Sequence, residues 1–418
     1  MNTIEKRCAE FKEAKLLQKY SLYPFFPPMT GSEGRKVTYG NRSMVMLGSN
    51  NYLGLTHDPR VQNAALLAIS KYGTGCTGSR FLNGNTDLHE ELEERFAKFF
   101  KKESALVMTT GFLTNYTSIG TLVEAGDYIL SDSENHASII AGCKNSSAET
   151  IVFRHNDMTD LDEKLAQLPQ DAVKLIIVDG VFSMTGELAN LPEIVRLKKE
   201  YTNTLIMVDD AHGLGAIGAN GRGTAEHFGL ENDIDLITAT FSKSMASLGG
   251  VIAGSSEILH YLKHKCRGFI FSAALPAASA AAVLAALDII ESDNTIFSKL
   301  SENIQFLKAG YKQLGLPVLE SGSPILSIWI GDEMKSLKTV EALKQQGVFC
   351  TPVMFPAVPF GNALIRTSVM ASHSREDLSF ALGAFEKVFE MLQIKVSIPS
   401  ASGLHARSNG YGFENAVN

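Results

Sequence analysis

From about residue 104 to 254 the chain alternates short apolar runs with longer stretches in which apolar residues recur at helical spacing. The runs are Ala105–Met108, Tyr128–Leu130, Ile151–Phe153, Leu175–Val178, Leu205–Val208, Leu236–Thr240 and Val251–Ala253. Continuous apolar strands are covered on both faces, and strands separated by helices run parallel. The pattern therefore predicts an α/β fold with a mostly parallel seven-stranded sheet layered between helices. Upstream, residues 1–20 read as an amphipathic helix carrying Ile4, Phe11, Leu16 and Leu17, broken by Tyr23-Pro-Phe-Phe-Pro-Pro28. A short strand at Met44–Leu47 runs into the polar, glycine-punctuated Gly48–Leu55, which reads either as a plain turn or as a ligand-contacting segment. Helices are expected over Pro59–Tyr72, with its early proline, and over Thr86–Lys102, with Leu88, Leu92 and Phe96 on one face.

Beyond Gly254 the rhythm changes. Helices Pro276–Ile290 and Thr295–Leu314 lead to a strand at Ser323–Ile330, a helix at Leu337–Gln346, a strand at Gly347–Thr351 and a helix at Ser374–Leu392. That is a smaller α+β domain. The boundaries expected are an N-terminal segment 1–58, a large domain 59–294, a small domain 295–396 and a polar, glycine-rich tail 397–418, either disordered or ordered against another subunit. The rigid Pro352–Pro359 segment either packs on the small domain or borders a channel.

Composition narrows the function classes. A net charge of −7 without a Lys/Arg block argues against nucleic acid or an anionic membrane as partner. Five scattered cysteines, none spaced Cys-x-x-Cys, suit free thiols in a cytoplasmic protein. No N-terminal leader pattern or run of about 18 apolar residues is present, so at most peripheral membrane contact is expected. Two segments match G-x-G-x-x-G by letter, Gly73–Gly78 and Gly213–Gly218. The first follows a helix and the second continues as loop, so neither is a dinucleotide site.

In a parallel sheet ligands collect beyond the carboxyl ends of the strands. There the chain supplies Thr109-Thr-Gly-Phe112 opening a helix, His136, Asp179, Asp209-Asp-Ala-His212 and Thr240-Phe-Ser-Lys243. A helix start points N–H groups at an anion such as phosphate. Taken alone, the lysine reads as a surface loop residue, each histidine as a cap and each aspartate as a turn former. The histidines also lack the short spacing of zinc ligands. Their joint placement on one rim suits pyridoxal phosphate (PLP): an amine for the aldehyde, a carboxylate for the pyridine nitrogen, an imidazole for the ring face.

Asp209-Asp-Ala-His212, Thr240-Phe-Ser-Lys-Ser244 and Asp179-Gly-Val-Phe-Ser-Met184 resemble the signature segments of the α-oxoamine synthases, and the likeness extends from residue 1 to about 395. Gly73–Gly84 and Phe241–Gly250 are most similar to the soluble bacterial members that condense serine with palmitoyl-CoA. The resemblance implies the aspartate-aminotransferase-like fold type I and a decarboxylating condensation of L-serine with a long-chain acyl-CoA. It equally allows glycine, alanine or cysteate as amino acid, or an acyl carrier protein as donor. It also implies residue roles. Lys243 holds the cofactor covalently and moves protons at the substrate Cα. Asp209 pairs with the ring nitrogen, and His212, with Ser183 nearby, meets the phenolic oxygen. His136 stacks on the ring, and Gly111, Phe112 and Thr240 line the phosphate site. Ser272 reaches the phosphate of the neighbouring subunit in a homodimer, although Ala273 and Ala274 stand where the family often has a hydroxyl. Arg366, with Asn50, receives the substrate carboxylate, and Arg80 belongs to the same substrate-binding set. A catalytically silent partner subunit is the contrasting reading, against which the retained Lys243, Asp209 and His212 argue.

Overall fold

All seven apolar runs form strands of one sheet in the computed structural model, which describes residues 2–395 and 398. In chain order the strands are β1 (Met29–Ser32), β2 (Lys36–Tyr39), β3 (Arg42–Met46), β4 (Ser104–Met108), β5 (Tyr128–Asp132), β6 (Glu149–Phe153) and β7 (Lys174–Asp179). They continue as β8 (Thr204–Asp209), β9 (Leu236–Thr240), β10 (Gly250–Gly254), β11 (Ile325–Gly331), β12 (Val348–Phe349), β13 (Thr351–Val353) and β14 (Ala363–Ser368). The large sheet runs β4-β10-β9-β8-β7-β5-β6. The pairs among β9, β8, β7, β5 and β6 are parallel, while β10 is antiparallel to both of its neighbours.

Strand alternation explains why these runs are apolar throughout. Along β7, Leu175 and Ile177 join a cluster with Ile119, Ile139 and Leu259, from the helices Gly111–Leu122, Ala137–Asn145 and Ser256–Lys265. The intervening Ile176 and Val178 join a second cluster with Leu92, Ile194 and Leu284, from the helices Asp87–Phe99, Leu191–Glu200 and Ala277–Ser292. Successive side chains point to opposite faces, so each face needs its own helical layer. The result is a helix–sheet–helix sandwich whose carboxyl rim stays open for a site.

The C-terminal part builds a separate antiparallel sheet, β11-β14-β13. Its core joins Ile328 and Ile365 to Tyr311, Leu343 and Phe385, from the helices Thr295–Gln313, Glu333–Gln345 and Arg375–Met391. The stretch expected as one strand over 347–351 divides: β12 pairs in parallel with β3, and β13 pairs with β14. The N-terminal strands are thereby sewn to this part of the chain, with Arg35 and Lys36 both paired to the buried Asp377. The helix expected over 1–20 is two helices, Thr3–Glu10 and Glu13–Lys19, broken at an extended Phe11. Ile4, Phe11 and Leu16 stay exposed, because nothing among the described residues covers the face they were expected to bury. The tail expected over 397–418 lies, apart from Ile398, outside the described residues. Among the described residues no helix is long and apolar enough to cross a membrane.

Candidate active site

A cavity of about 260 Å³ opens at the carboxyl rim of β7, β8 and β9 and takes in Lys243, Asp209, His136, His212, Ser183, Gly111, Phe112 and Thr240. One end is the start of the helix Gly111–Leu122, whose N-cap Thr110 accepts the N–H of Leu113. Gly111 is required there by close approach: a Cβ at that position would lie 2.7 Å from the Thr240 Cβ. Without one, the free N–H groups of the first helical turn lie beside the hydroxyls of Thr240 and Ser242, which are 2.9 Å apart. That combination is a cradle for a dianion such as phosphate.

Asp209 stands at the last position of β8, at the middle of the cavity. Its Oδ2 accepts Asn115 Nδ2 at 2.5 Å and its Oδ1 accepts the Ala211 N–H at 3.0 Å. Asn115 is itself held: it donates to Ser138 Oγ (2.9 Å) and accepts Thr238 Oγ1 (2.8 Å). A carboxylate fixed by donors on two sides stays aimed at whatever enters the cavity. His136 caps the helix Ala137–Asn145, with Nδ1 2.7 Å from Ser138 Oγ, and its backbone N–H donates to Asp179 Oδ2 at 2.8 Å. His212 Nδ1 is 2.6 Å from the hydroxyl of the fully buried Tyr52.

The electrostatics follow from burial. Desolvation pulls the Lys243 amine down from 10.5 to about 8, although Asp209 and Asp179 pull the other way. Lys243 makes neither a hydrogen bond nor an ion pair among the described residues, so nothing blocks its lone pair once the proton leaves. Burial, reinforced by the Lys243 charge, also lowers the pKa of His212, and burial lowers that of His136, which keeps both rings neutral. Asp179 moves the opposite way: burial and the nearby Asp209 charge raise it well above the usual carboxylate range. Burial in this cavity therefore disfavours charge on the amine, on both imidazoles and on Asp179 alike.

Arg366 projects from β14 toward this rim. Nε donates to the Ser183 carbonyl (2.6 Å), Nη2 to Asn50 Oδ1 (2.9 Å) and Nη1 to Ser368 Oγ (3.0 Å). The segment 48–55 is thus more than a turn, since Asn50 and Tyr52 face the site. Arg80 and Ser272 lie apart, in a neighbouring recess with Thr109. The Arg80 guanidinium is engaged by Glu93 (2.8 Å) and the Val107 carbonyl (3.3 Å), so within one chain it does not reach the Lys243 cavity. Sequence reasoning missed Asn115, Tyr52 and Thr238. The one available signal was the unusual run of polar residues, Thr114, Asn115, Thr117 and Ser118, in a helix that is buried.

The sequence profile of the Aminotransferase class I and II family matches residues 42–385. A serine palmitoyltransferase from Bacteriovorax stolpii is 48% identical over 91% of this chain and 91% of its own length. An 8-amino-7-oxononanoate synthase from Thermoanaerobacter pseudethanolicus is 40% identical over 94% of this chain and 98% of its own. A serine palmitoyltransferase from S. paucimobilis, solved with a bound PLP–myriocin aldimine, superposes with a TM-score of 0.91. It is 32% identical and covers 94% of this chain and 100% of that one. By this family match and these relatives, the chain belongs to the class I and II aminotransferases, fold type I, on their α-oxoamine synthase branch.

Proposed function

We propose that this chain catalyses the PLP-dependent condensation of L-serine with palmitoyl-CoA or a similar long-chain acyl-CoA, giving 3-oxosphinganine, CoA and CO₂, the first step of sphingolipid synthesis. The observation that carries the reading is the Lys243 amine, lowered to about 8 and without a hydrogen-bond partner among the described residues, in one cavity with Asp209. The 48% identity to a protein named serine palmitoyltransferase supports the choice of substrates.

The residues present fit PLP. The N–H groups at Gly111 and Phe112, with the Thr240 hydroxyl, suit its phosphate, Asp209 its ring nitrogen, His212 its phenolic oxygen and Lys243 its aldehyde. Bound PLP supplies an electron sink for the pair left at the substrate Cα. The chain's residues do the rest. Arg366 and Asn50 hold the amino-acid carboxylate. The neutral Lys243 amine removes the Cα proton. Asp209 would hold a protonated ring nitrogen, and His136 would lie over the ring face and polarise the thioester carbonyl. A Cα–C bond forms as the C–S bond breaks, and the thiolate takes a proton from solvent and leaves as CoA. Loss of the carboxylate as CO₂ and return of the Lys243 proton to Cα complete the balance.

The working form in this proposal is a cytoplasmic homodimer in which Ser272 reaches the phosphate of the other subunit's site. The strong exposure of Phe271 (82%), next to Ser272 in the chain, and of Leu82 (78%), two residues past Arg80, supports a partner surface there. The test is amino-acid-dependent CoA release across a panel of acyl donors, followed by product mass. Serine with palmitoyl-CoA giving 3-oxosphinganine bears the reading out. Release driven by alanine, glycine or cysteate moves the chain to another synthase of the branch. No release with any pair sinks both.

A further inference from the structure

Just past β6, the His155 ring is buried among carboxylates that take no part in the cavity. Its Nδ1 lies 2.9 Å from Asp132 Oδ1, and its Nε2 lies 3.4 Å from Glu187 Oε2 and 3.7 Å from Glu134 Oε2. Phe182 meets the ring edge-on, with centroids 4.3 Å apart. Burial opposes a charge on this imidazole, but its bonds to Asp132 and Glu187 outweigh it and raise the pKa to about 11. Asn156, in the left-handed region at φ 51°, extends the tie. Its N–H donates to Asp132 Oδ2 (2.8 Å), and its Nδ2 to Glu187 Oε1 (2.7 Å) and the Leu188 carbonyl (3.1 Å).

Two loops therefore converge on one ring, and each ends on a group of the site. Loop 132–136 carries His136, whose N–H is held by Asp179. Loop 181–188 carries Ser183, whose carbonyl accepts Arg366 Nε. Hydroxyls of the C-terminal part grip that second loop as well: Ser327 donates to the Met184 carbonyl (2.5 Å) and Ser321 to the Gly186 carbonyl (3.1 Å).

We propose that His155 is a positioning residue for the condensation: by bridging Asp132 and Glu187 it fixes the spacing between the loop bearing His136 and the loop on which Arg366 is anchored. The inference rests on the function proposed above. Replacing the ring with a neutral side chain removes the cation that ties Asp132 to Glu187 and loosens the link between the two loops. A displacement of about 1 Å at such a site costs on the order of 10²-fold in rate.

The experiment compares wild-type holoenzyme with His155→Gln and with the double variant His155→Gln/Glu187→Gln, which removes the opposing charge as well as the tie. Thermal unfolding, induced circular dichroism of bound PLP and the spectral Kd for L-serine are measured on each. The expected result is a serine Kd weakened about tenfold or more and a diminished dichroic band in both variants, with only the double variant regaining thermal stability. Lower stability with unchanged serine Kd and dichroism makes His155 a packing residue and overturns the proposal. If His155→Gln does not fold, the double variant decides on the same criteria. A wild-type chain that takes up no PLP overturns the functional reading and this inference with it. A wild type that takes up PLP beside variants indistinguishable from it overturns this inference alone.

Discussion

Asp210 lies directly behind Asp209 with its side chain fully buried, and replacing it by asparagine isolates one electrostatic quantity. Its Oδ2 accepts the Thr224 N–H (2.6 Å) and hydroxyl (3.0 Å), whereas Oδ1 has no partner among the described residues. Burial, followed by the charge of Asp209, raises its pKa from 3.8 to about 7 against the pull of the Thr224 bonds. A carboxyl whose folded pKa exceeds its unfolded value stabilises the fold fully below the unfolded pKa. It loses that contribution as pH rises through the folded pKa, so the window here runs from 3.8 to about 7. About three pH units at about 1.4 kcal/mol each give a full loss of roughly 4 kcal/mol, of which about 2.5 kcal/mol falls between about pH 5 and pH 8. Asp210→Asn cannot ionise. Its carbonyl oxygen takes the Thr224 bonds, and its NH₂ takes the unpartnered position at a pH-independent cost of about 1–3 kcal/mol. Urea unfolding of wild type and variant at the two pH values, with m unchanged, measures the difference. The variant should gain about 2.5 kcal/mol relative to wild type on going from the acid to the alkaline condition. An equal stability difference at both pH values means that Asp210 ionises as an ordinary carboxyl, and the electrostatic account of this end of β8 fails.

The remaining predictions concern the cavity itself. Lys243→Ala should lower turnover at least about 10²–10⁴-fold and abolish the visible band of covalently held PLP; an unchanged spectrum counts against the assignment. Capture of PLP by the apoprotein should quicken with pH and level off above about 8, because the neutral amine is the nucleophile. A rate still climbing past the ordinary lysine value of 10.5 would show a solvated amine. Asn115→Ala removes a donor to a charged carboxylate, a bond worth about 1.5–3 kcal/mol, so PLP affinity by fluorescence titration should fall roughly tenfold to a hundredfold. Arg366→Lys keeps the charge but loses the fork that spans the Ser183 carbonyl and Asn50. KM for the amino acid should rise about tenfold or more with kcat less affected, and the reverse split would relocate the carboxylate site.

The large sheet was legible because its strands are buried on both faces, which leaves an unbroken apolar signature, and the site residues follow those strands directly in the sequence. Lys243, Asp209, His212 and His136 could be found by asking what comes next after each run. β14 escaped notice as a strand: Arg366 and Thr367 interrupt its pattern because they serve the site and the interior, and a charged residue inside a buried strand looks like a loop. Asn115 was hidden for a related reason. It is a polar residue buried on a helix, and only its three-dimensional neighbours Asp209, Ser138 and Thr238 explain it. The β1–β2 hairpin carries little apolar pattern, since β1 is exposed along its whole length and takes its partners from β2. The break at Phe11 has no counterpart in local propensity, and nothing in the structure explains it.

The reversed direction of β10 means that Lys243 sits in a hairpin closed by the sheet at both ends, not in a crossover. The Phe241 N–H donates to the Gly249 carbonyl and the Ser247 N–H to the Phe241 carbonyl, each at 3.0 Å. The reactive amine is therefore tethered like a bead on a short staple. Loops 132–136 and 181–188 of the same rim are held by ties of their own, to Asp179, Arg366 and His155. An insertion of a single residue between 241 and 249 is expected to shift the amine against Asp209 and silence the chemistry altogether.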